Sequence, residues 1–281
     1  MKAPAFAYAK PTSLAEVLDC LDGSEGVRLL AGGQSLVPSL NMRLSAPTLL
    51  VDINHVAALR GISDAGGIVR IGAMTRHHEL MTSAVVASRL PLVAKAVPHI
   101  AHQAIRNRGT IGGSLALADP STELPACCLA LDATIVAASR RGERRIAARD
   151  FFLGIYETAL TPDEVLVAVE FPAPPANSVS GFDELARRHG DYAIVGLAAR
   201  GVRTGKTWSL LKLAFFGAGD RPLLADAAAQ AVVSGKGIAA AQAALQGELS
   251  PSDDGECSAK TKMHLAQVLL GRVVAAMESG T

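Results

Sequence analysis

The stretch from Arg106 to Pro125, RNRGTIGGSLALADPSTELP, constrains the fold of this chain more than any other. Its centre is Thr110-Ile111-Gly112-Gly113-Ser114. Two adjacent glycines between hydroxyl residues leave no side chain to block a ligand, and they tolerate the dihedrals of a tight bend. Backbone N–H groups can then face an anion. The same chemistry occurs earlier, in Ala31-Gly32-Gly33-Gln34-Ser35. Each pair of glycines follows apolar residues and leads into a hydroxyl. Two such bends predict a pair of clamps on one diphosphate. The competing interpretation is two tight turns with no ligand.

The 281 residues are enough for a large core and more than one domain. A formal net charge of +1 argues against a general binder of nucleic acid or anionic membrane. No run is long and apolar enough for a membrane span, and the start, MKAPAFAYAKPTS, predicts no signal peptide. A cytoplasmic protein is expected. The four cysteines, Cys20, Cys127, Cys128 and Cys257, form no CxxC pair, so reduced thiols in or near the core are expected.

Ser13 and Glu16 have capping-box spacing at the start of a helix over 12–21. Val27 to Leu30 predicts a strand running into the first Gly-Gly bend, 35–44 a helix or turn, and Thr48 to Ile53 a second strand. A bend at the C-terminal end of a strand is where α/β units commonly hold ligands. Further strands are expected at 68–71, 133–138 and 164–171, and helices at 77–90, 92–97 and 124–131. The segment 171–180, FPAPPANSVS, lacks periodicity and marks a domain boundary. Beyond it, strands at 192–202 and 210–216 precede helices at 223–233, 238–245 and 258–277, the last with Met263, Ala266, Leu270 and Val274 inward. This pattern predicts two domains, 1–175 (subdomains 1–55 and 56–175) and 178–281.

Other candidates carry less chemistry. His77-His78 with Glu79 point in different directions on a helix, so a solvated helix start is expected and not a metal site. His99 and His102 border the second bend, either beside a ligand or as caps. Arg106 and Asn107 are expected to fix that bend by hydrogen bonds. Arg140 to Arg145, RRGERR, predicts a solvated hairpin turn, and Asp191 an orienting turn residue.

AGGQSLVPSLNMRL, IGAMT, IRNRGTIGGSLALADPSTELPA and RRHGDYAIVGLAA occur in this order. In them the chain resembles, over essentially its whole length, the FAD-binding medium subunit of the molybdenum hydroxylases, of the carbon monoxide dehydrogenase flavoprotein and xanthine dehydrogenase FAD-domain type. The resemblance implies an α+β architecture: the two-subdomain FAD-binding fold of the vanillyl-alcohol oxidase type plus a C-terminal α/β domain. It implies that Leu29, Leu30, Ala31, Gly32, Gly33, Gln34, Ser35 and Leu36 line one wall of the FAD site. Thr110, Ile111, Gly112, Gly113 and Ser114 would form the second clamp. Ile100 would contact the flavin. Asp119 and Glu123 would approach its ribityl or ring end, Leu166 its adenine end or ring rim, and Tyr192 would stand over the ring. Glu184 occupies a position where the family often has Lys, and Arg187 or Arg188 are the candidate compensating bases.

The chemistry agrees with these placements. Fixed N–H dipoles suit a diphosphate, and apolar side chains with one Tyr suit a flat ring. The implied function is FAD-dependent electron transfer within an oxidoreductase. A large molybdenum–pterin subunit would oxidise the substrate. A small subunit with [2Fe–2S] clusters would feed electrons to FAD for an external acceptor, in a dimer of heterotrimers. No catalytic acid–base group and no metal ligand is expected in this chain. The alternative is a self-contained FAD-dependent oxidase or reductase.

Overall fold

The run Val165-Leu-Val-Ala-Val169 is apolar at every position, as a strand covered on both faces requires. The computed structural model describes residues 2–279 and places this run at the centre of a sheet. Strands are numbered along the chain. β1 (Ala7–Ala9), β2 (Val27–Leu30) and β3 (Leu49–Asp52) form a small parallel sheet in the order β1-β3-β2. β4 (Ile62–Ala65), β5 (Ile68–Gly72), β6 (Thr134–Ser139) and β7 (Gly142–Ala147) surround β10 (Val165–Pro172) in an antiparallel sheet, β4-β5-β10-β6-β7. β8 (Phe152–Gly154) and β9 (Glu157–Thr158) make a separate hairpin. β11 (Ser178–Ala186), β12 (Ala193–Thr204), β13 (Thr207–Phe216) and β14 (Leu223–Leu224) form the last sheet, in chain order.

Alternation along β10 divides its side chains between two cores. Val165, Val167 and Ala168 join Val17, Val51 and Met74 beneath the small parallel sheet. Leu166, Val169 and Phe171 join the helices between residues 77 and 130. β12 and β13 are divided likewise. Val195, Leu197, Leu213 and Phe215 meet the Ala-rich helices Asp226–Val233, Ile238–Ala244 and Ala259–Ser279. Ala198, Ala214 and Phe216 face the buried helix Glu123–Ala130, which carries Cys127 and Cys128.

Several elements differ from the sequence reading. The expected helix over 77–90 is two, His77–Thr82 and Ala84–Arg89, because Ser83 caps the second with its hydroxyl on the Val86 N–H. Leu223-Leu224 is an edge strand, with the helix beginning at Asp226. The RRGERR run forms the turn and outer strand β7, and its charges are paired: Arg140 with Asp19 and Asp22, Arg144 with Glu164, and Arg145 with Glu170. The run is exposed as expected, and its pairing was hidden because the carboxylates come from remote parts of the chain. No helix among the described residues is long and apolar enough to cross a membrane.

Gly181 of β11 lets the last helix close onto the sheet: a Cβ there would stand 2.6 Å from Val273 Cγ1 and 2.7 Å from Met277 Cγ. Gly181→Ala should overpack this contact and cost about 1–3 kcal/mol, read as a lowered denaturant midpoint with an unchanged slope.

Candidate functional site

β2 ends at Leu30, and the chain turns through Ala31–Ser35 into the short helix Leu36–Asn41. Gly33 has φ +75°, a left-handed conformation that glycine adopts without strain. The carbonyls of Gly33 and Ser35 accept from Val37 and Ser39, but nothing accepts from the turn's own donors. Among the described residues, the N–H groups of Gly32, Gly33, Gln34, Ser35 and Leu36 find no acceptor. Gln34, through its side-chain amide, donates to the Gly32 carbonyl at 3.0 Å. Ser35 is exposed, and its hydroxyl caps nothing. Leu30 packs over Gly33, whereas Leu29 turns into the core below the parallel sheet.

The second stretch is built differently. Ile111–Leu117 is a helix with Thr110 as its cap. Its first four amides are already used: Ile111 donates to Thr75 O, Gly112 to Ala73 O, Gly113 to Thr110 Oγ1 and Ser114 to Thr110 O. Ile111 is fully buried, and Gly112 lies so close to Ala73 that a Cβ would stand 2.5 Å from that methyl. Gly113 and Ser114 remain half-buried. This stretch therefore offers a bare surface and a hydroxyl, while the first offers the amides.

The two stretches touch. A Cβ on Gly32 would stand 2.4 Å from Arg108 O and 2.8 Å from Gly109 Cα, and one on Gly113 would stand 3.6 Å from the Ala31 methyl. A polar clasp holds them together. Asn54 donates to Ala31 O at 2.8 Å, and its own Oδ1 accepts from the Arg76 guanidinium, which also donates to Arg108 O. Asp52 orients Asn54 and accepts from the Tyr8 hydroxyl at 2.7 Å. Sequence reading missed Asn54 and Arg76, which stand far from both glycine motifs. The only trace was IGAMT, whose Thr75 and Ala73 carbonyls receive the second helix.

Arg106 fixes the approach to the second stretch, as expected, donating to the carbonyls of Ile100 and Ala101 at 2.8 and 2.7 Å. Asn107 is exposed, and among the described residues its side chain bonds nothing. His77 is not a solvated helix start. It is 5% exposed, packs against Gly109 and leaves both ring nitrogens without a partner, so burial drives its pKa down to about 4.

The remaining candidates gather farther along. Asp119 and Glu123 are buried at the end of the glycine helix and the start of the next. Tyr156, at the tip of the β8–β9 hairpin, donates to Asp119 Oδ2 at 3.3 Å. Tyr192 is 62% exposed. Its phenol is raised above the ordinary range by partial desolvation and then by Asp119, Tyr156 and Glu123, so the four share one neighbourhood. Ile100 is buried, with its carbonyl bound to Arg106. Leu166 is 5% exposed within the central sheet, and its side chain belongs to the core.

Glu184 faces His99, Nδ1 to Oε1 at 3.3 Å, and its other carboxylate oxygen is buried without a partner. Arg187 and Arg188 do not compensate it, because they pair with Glu256 and Asp191. His99 does, and this hydrogen bond raises the imidazole above its usual range. His99 also stacks on His189 and leans on Phe182. Chain separation hid this pair from sequence reading.

Burial pushes the Glu123 carboxyl up to about 8, with Glu184 and Asp119 adding to the shift. The folded chain thus keeps a proton that the unfolded chain releases near 4.5. The stabilisation is complete below 4.5 and is lost as pH rises through about 8. Glu123→Gln should remove this loss. In urea titrations at several pH values, the variant's stability relative to wild type should rise through that window by on the order of a few kcal/mol.

The model of the FAD binding domain in molybdopterin dehydrogenase matches residues 4–174, and that of the CO dehydrogenase flavoprotein C-terminal domain matches residues 180–277. The 6-hydroxypseudooxynicotine dehydrogenase complex subunit alpha of Paenarthrobacter nicotinovorans is 41% identical, covering 98% of this chain and 95% of that one. The solved carbon monoxide dehydrogenase of Hydrogenophaga pseudoflava superposes with a TM-score of 0.96 at 36% identity, covering 99% of both chains. Quinoline 2-oxidoreductase of Pseudomonas putida 86 gives a TM-score of 0.94 at 40% identity, covering 100% of this chain and 99% of that one. With its two family models matching residues 4–174 and 180–277 in turn, the chain belongs to the FAD-binding medium subunits of the molybdenum hydroxylases, the flavoprotein components of multi-subunit oxidoreductases.

Proposed function

We propose that FAD lies across the two touching stretches. Its diphosphate rests on the five open amides of Gly32–Leu36, with the Ser35 hydroxyl beside them and Gly113 and Ser114 closing the other side. This row of unpaired donors is the observation that carries the reading, because four of the five residues are buried or half-buried, where amides are otherwise satisfied within a fold. Thr110, Ile111 and Gly112 support the clamp from behind. Leu30, Ala31 and Leu36 form its apolar lip, and Leu29 anchors that lip to the core.

The ring end points toward Tyr192, with Asp119 and Glu123 at its polar rim and Ile100 beside it. Leu166 acts from the core, beneath the site. Glu123 keeps its proton and can donate a hydrogen bond, while the buried free oxygen of Glu184 can accept one. The exposed Tyr192 ring can cover a flat ligand and limit water at its face.

When bound, FAD supplies an electron store that collects single electrons and gives them up in pairs. This chain holds the store in place. Its partners are a large molybdenum–pterin subunit, which oxidises the substrate, and a small [2Fe–2S] subunit, which delivers the electrons. An external acceptor removes them. The assembly is a dimer of heterotrimers in the cytoplasm. The chain divides into a FAD-binding domain, 1–175, with subdomains 1–55 and 56–175, and a C-terminal domain, 178–281.

Gly33→Asp places a side chain on a left-handed backbone and a negative charge against the diphosphate, and Gly113→Asp fills the facing surface. Each should abolish the flavin absorbance of the purified chain, and full retention in both would refute the placement. Co-purification of a molybdenum-bearing larger chain and an iron-bearing smaller one tests the assembly. A lone active chain from the native source would contradict it.

A further inference from the structure

We propose that Arg76, with Arg60 and Arg108 beside it, supplies a fixed positive charge to the anion site, so that the diphosphate is held by guanidinium charge as well as by amides. The inference rests on the FAD reading above and adds a charge that neither glycine stretch contains.

The geometry starts at one carbonyl. Arg108 O accepts from the Arg76 guanidinium, and the same oxygen stands 2.4 Å from where a Cβ on Gly32 would be. The half-buried guanidinium therefore lies directly beside the open amides. Asn54 gathers a second cation: Arg60 donates to its main-chain oxygen at 3.0 Å, while Arg76 donates to its side chain. Arg108 carries its own exposed side chain at the contact. The like charges of Arg60 and Arg108 act on Arg76, adding to the effect of its burial.

The carboxylates of Glu79 and Asp52 act on Arg76 in the opposite sense, but from beyond ion-pair distance. Among the described residues, no carboxylate lies within ion-pair distance of these three guanidinium groups. The nearby acids are otherwise engaged. Glu79 accepts from the Arg76 main-chain N–H, and Asp52 accepts from Tyr8 and Asn54. The outer sheet behaves oppositely, with Arg144 and Arg145 each paired to a glutamate. Three crowded cations next to five open amides are in an unfavourable arrangement that a doubly charged anion relieves.

The test is a fluorescence titration of the full-length chain, freed of flavin, with FAD and with riboflavin, which lacks the phosphates. Arg60→Gln/Arg108→Gln alters exposed side chains and keeps the Ala31–Asn54–Arg76 bonds, removing only the Arg60 bond to the Asn54 main-chain oxygen. It should weaken FAD binding by about threefold to tenfold at low salt, with the gap closing at high salt and riboflavin unaffected. Arg76→Gln should weaken FAD roughly tenfold or more, and Arg76→Lys should recover part of that loss by restoring the charge. Asn54→Ala, which loosens the clasp and keeps all three charges, should weaken both ligands alike. The proposal is overturned if the double variant binds FAD as wild type does at low salt, or if Arg76→Lys is as weak as Arg76→Gln. Wild-type chain that takes up no FAD would instead overturn the underlying reading.

Discussion

Everything at the candidate site depends on one close approach of main chain to main chain, Gly32 against Arg108 and Gly109. Only a residue without a side chain can stand there, because a Cβ would overlap a carbonyl oxygen that cannot rotate away. Asn54 and Arg76 then bridge the two segments, Asn54 by a neutral bond to Ala31 and Arg76 by charge-assisted bonds, which are stronger than neutral ones. The contact brings together residues near 32 and near 110 and leaves a row of amides with no acceptor among the described residues.

The two ends of the site differ in charge. The glycine end is crowded with arginine and free N–H groups. The Tyr192 end holds Asp119, Glu123 and Glu184, relieved by one histidine and by the proton that Glu123 retains. A dinucleotide has the same asymmetry in reverse: its phosphates are anionic, and its ring rim carries both donors and acceptors. Complementarity of this kind orients a ligand end to end as well as binding it.

Local patterns were legible in the sequence, and contacts between remote segments were not. Ser13 caps its helix on the Glu16 N–H as the capping-box spacing implied. Gly33 adopts the left-handed bend that its neighbours suggested, and Ala266, Leu270 and Val274 face the core. The short edge strands β1, β4 and β14 escaped detection because two to four residues carry too little periodicity. The similarity of the two Gly-Gly motifs concealed that one offers amides and the other has spent them within the fold, since Thr75 and Ala73 lie 36 or more residues before the amides they accept. His77 was misread as solvated, and the partner of Glu184 was sought in Arg187 or Arg188 instead of His99, for one reason: the surroundings of a polar residue are decided by segments far away in the chain.

The central strand β10 carries a further consequence. It joins β5, about a hundred residues earlier, to β6, and Val167 O receives the N–H of Ala73, the residue on which Gly112 rests. The Ala73 support beneath Gly112 is not fixed until β10 has left the ribosome and closed that long loop. Pairings of such separation form slowly. During synthesis, therefore, a nascent chain halted before β10 already carries the Asn54–Arg76 clasp, yet it lacks the strand that fixes Ala73 and, through it, the second glycine segment.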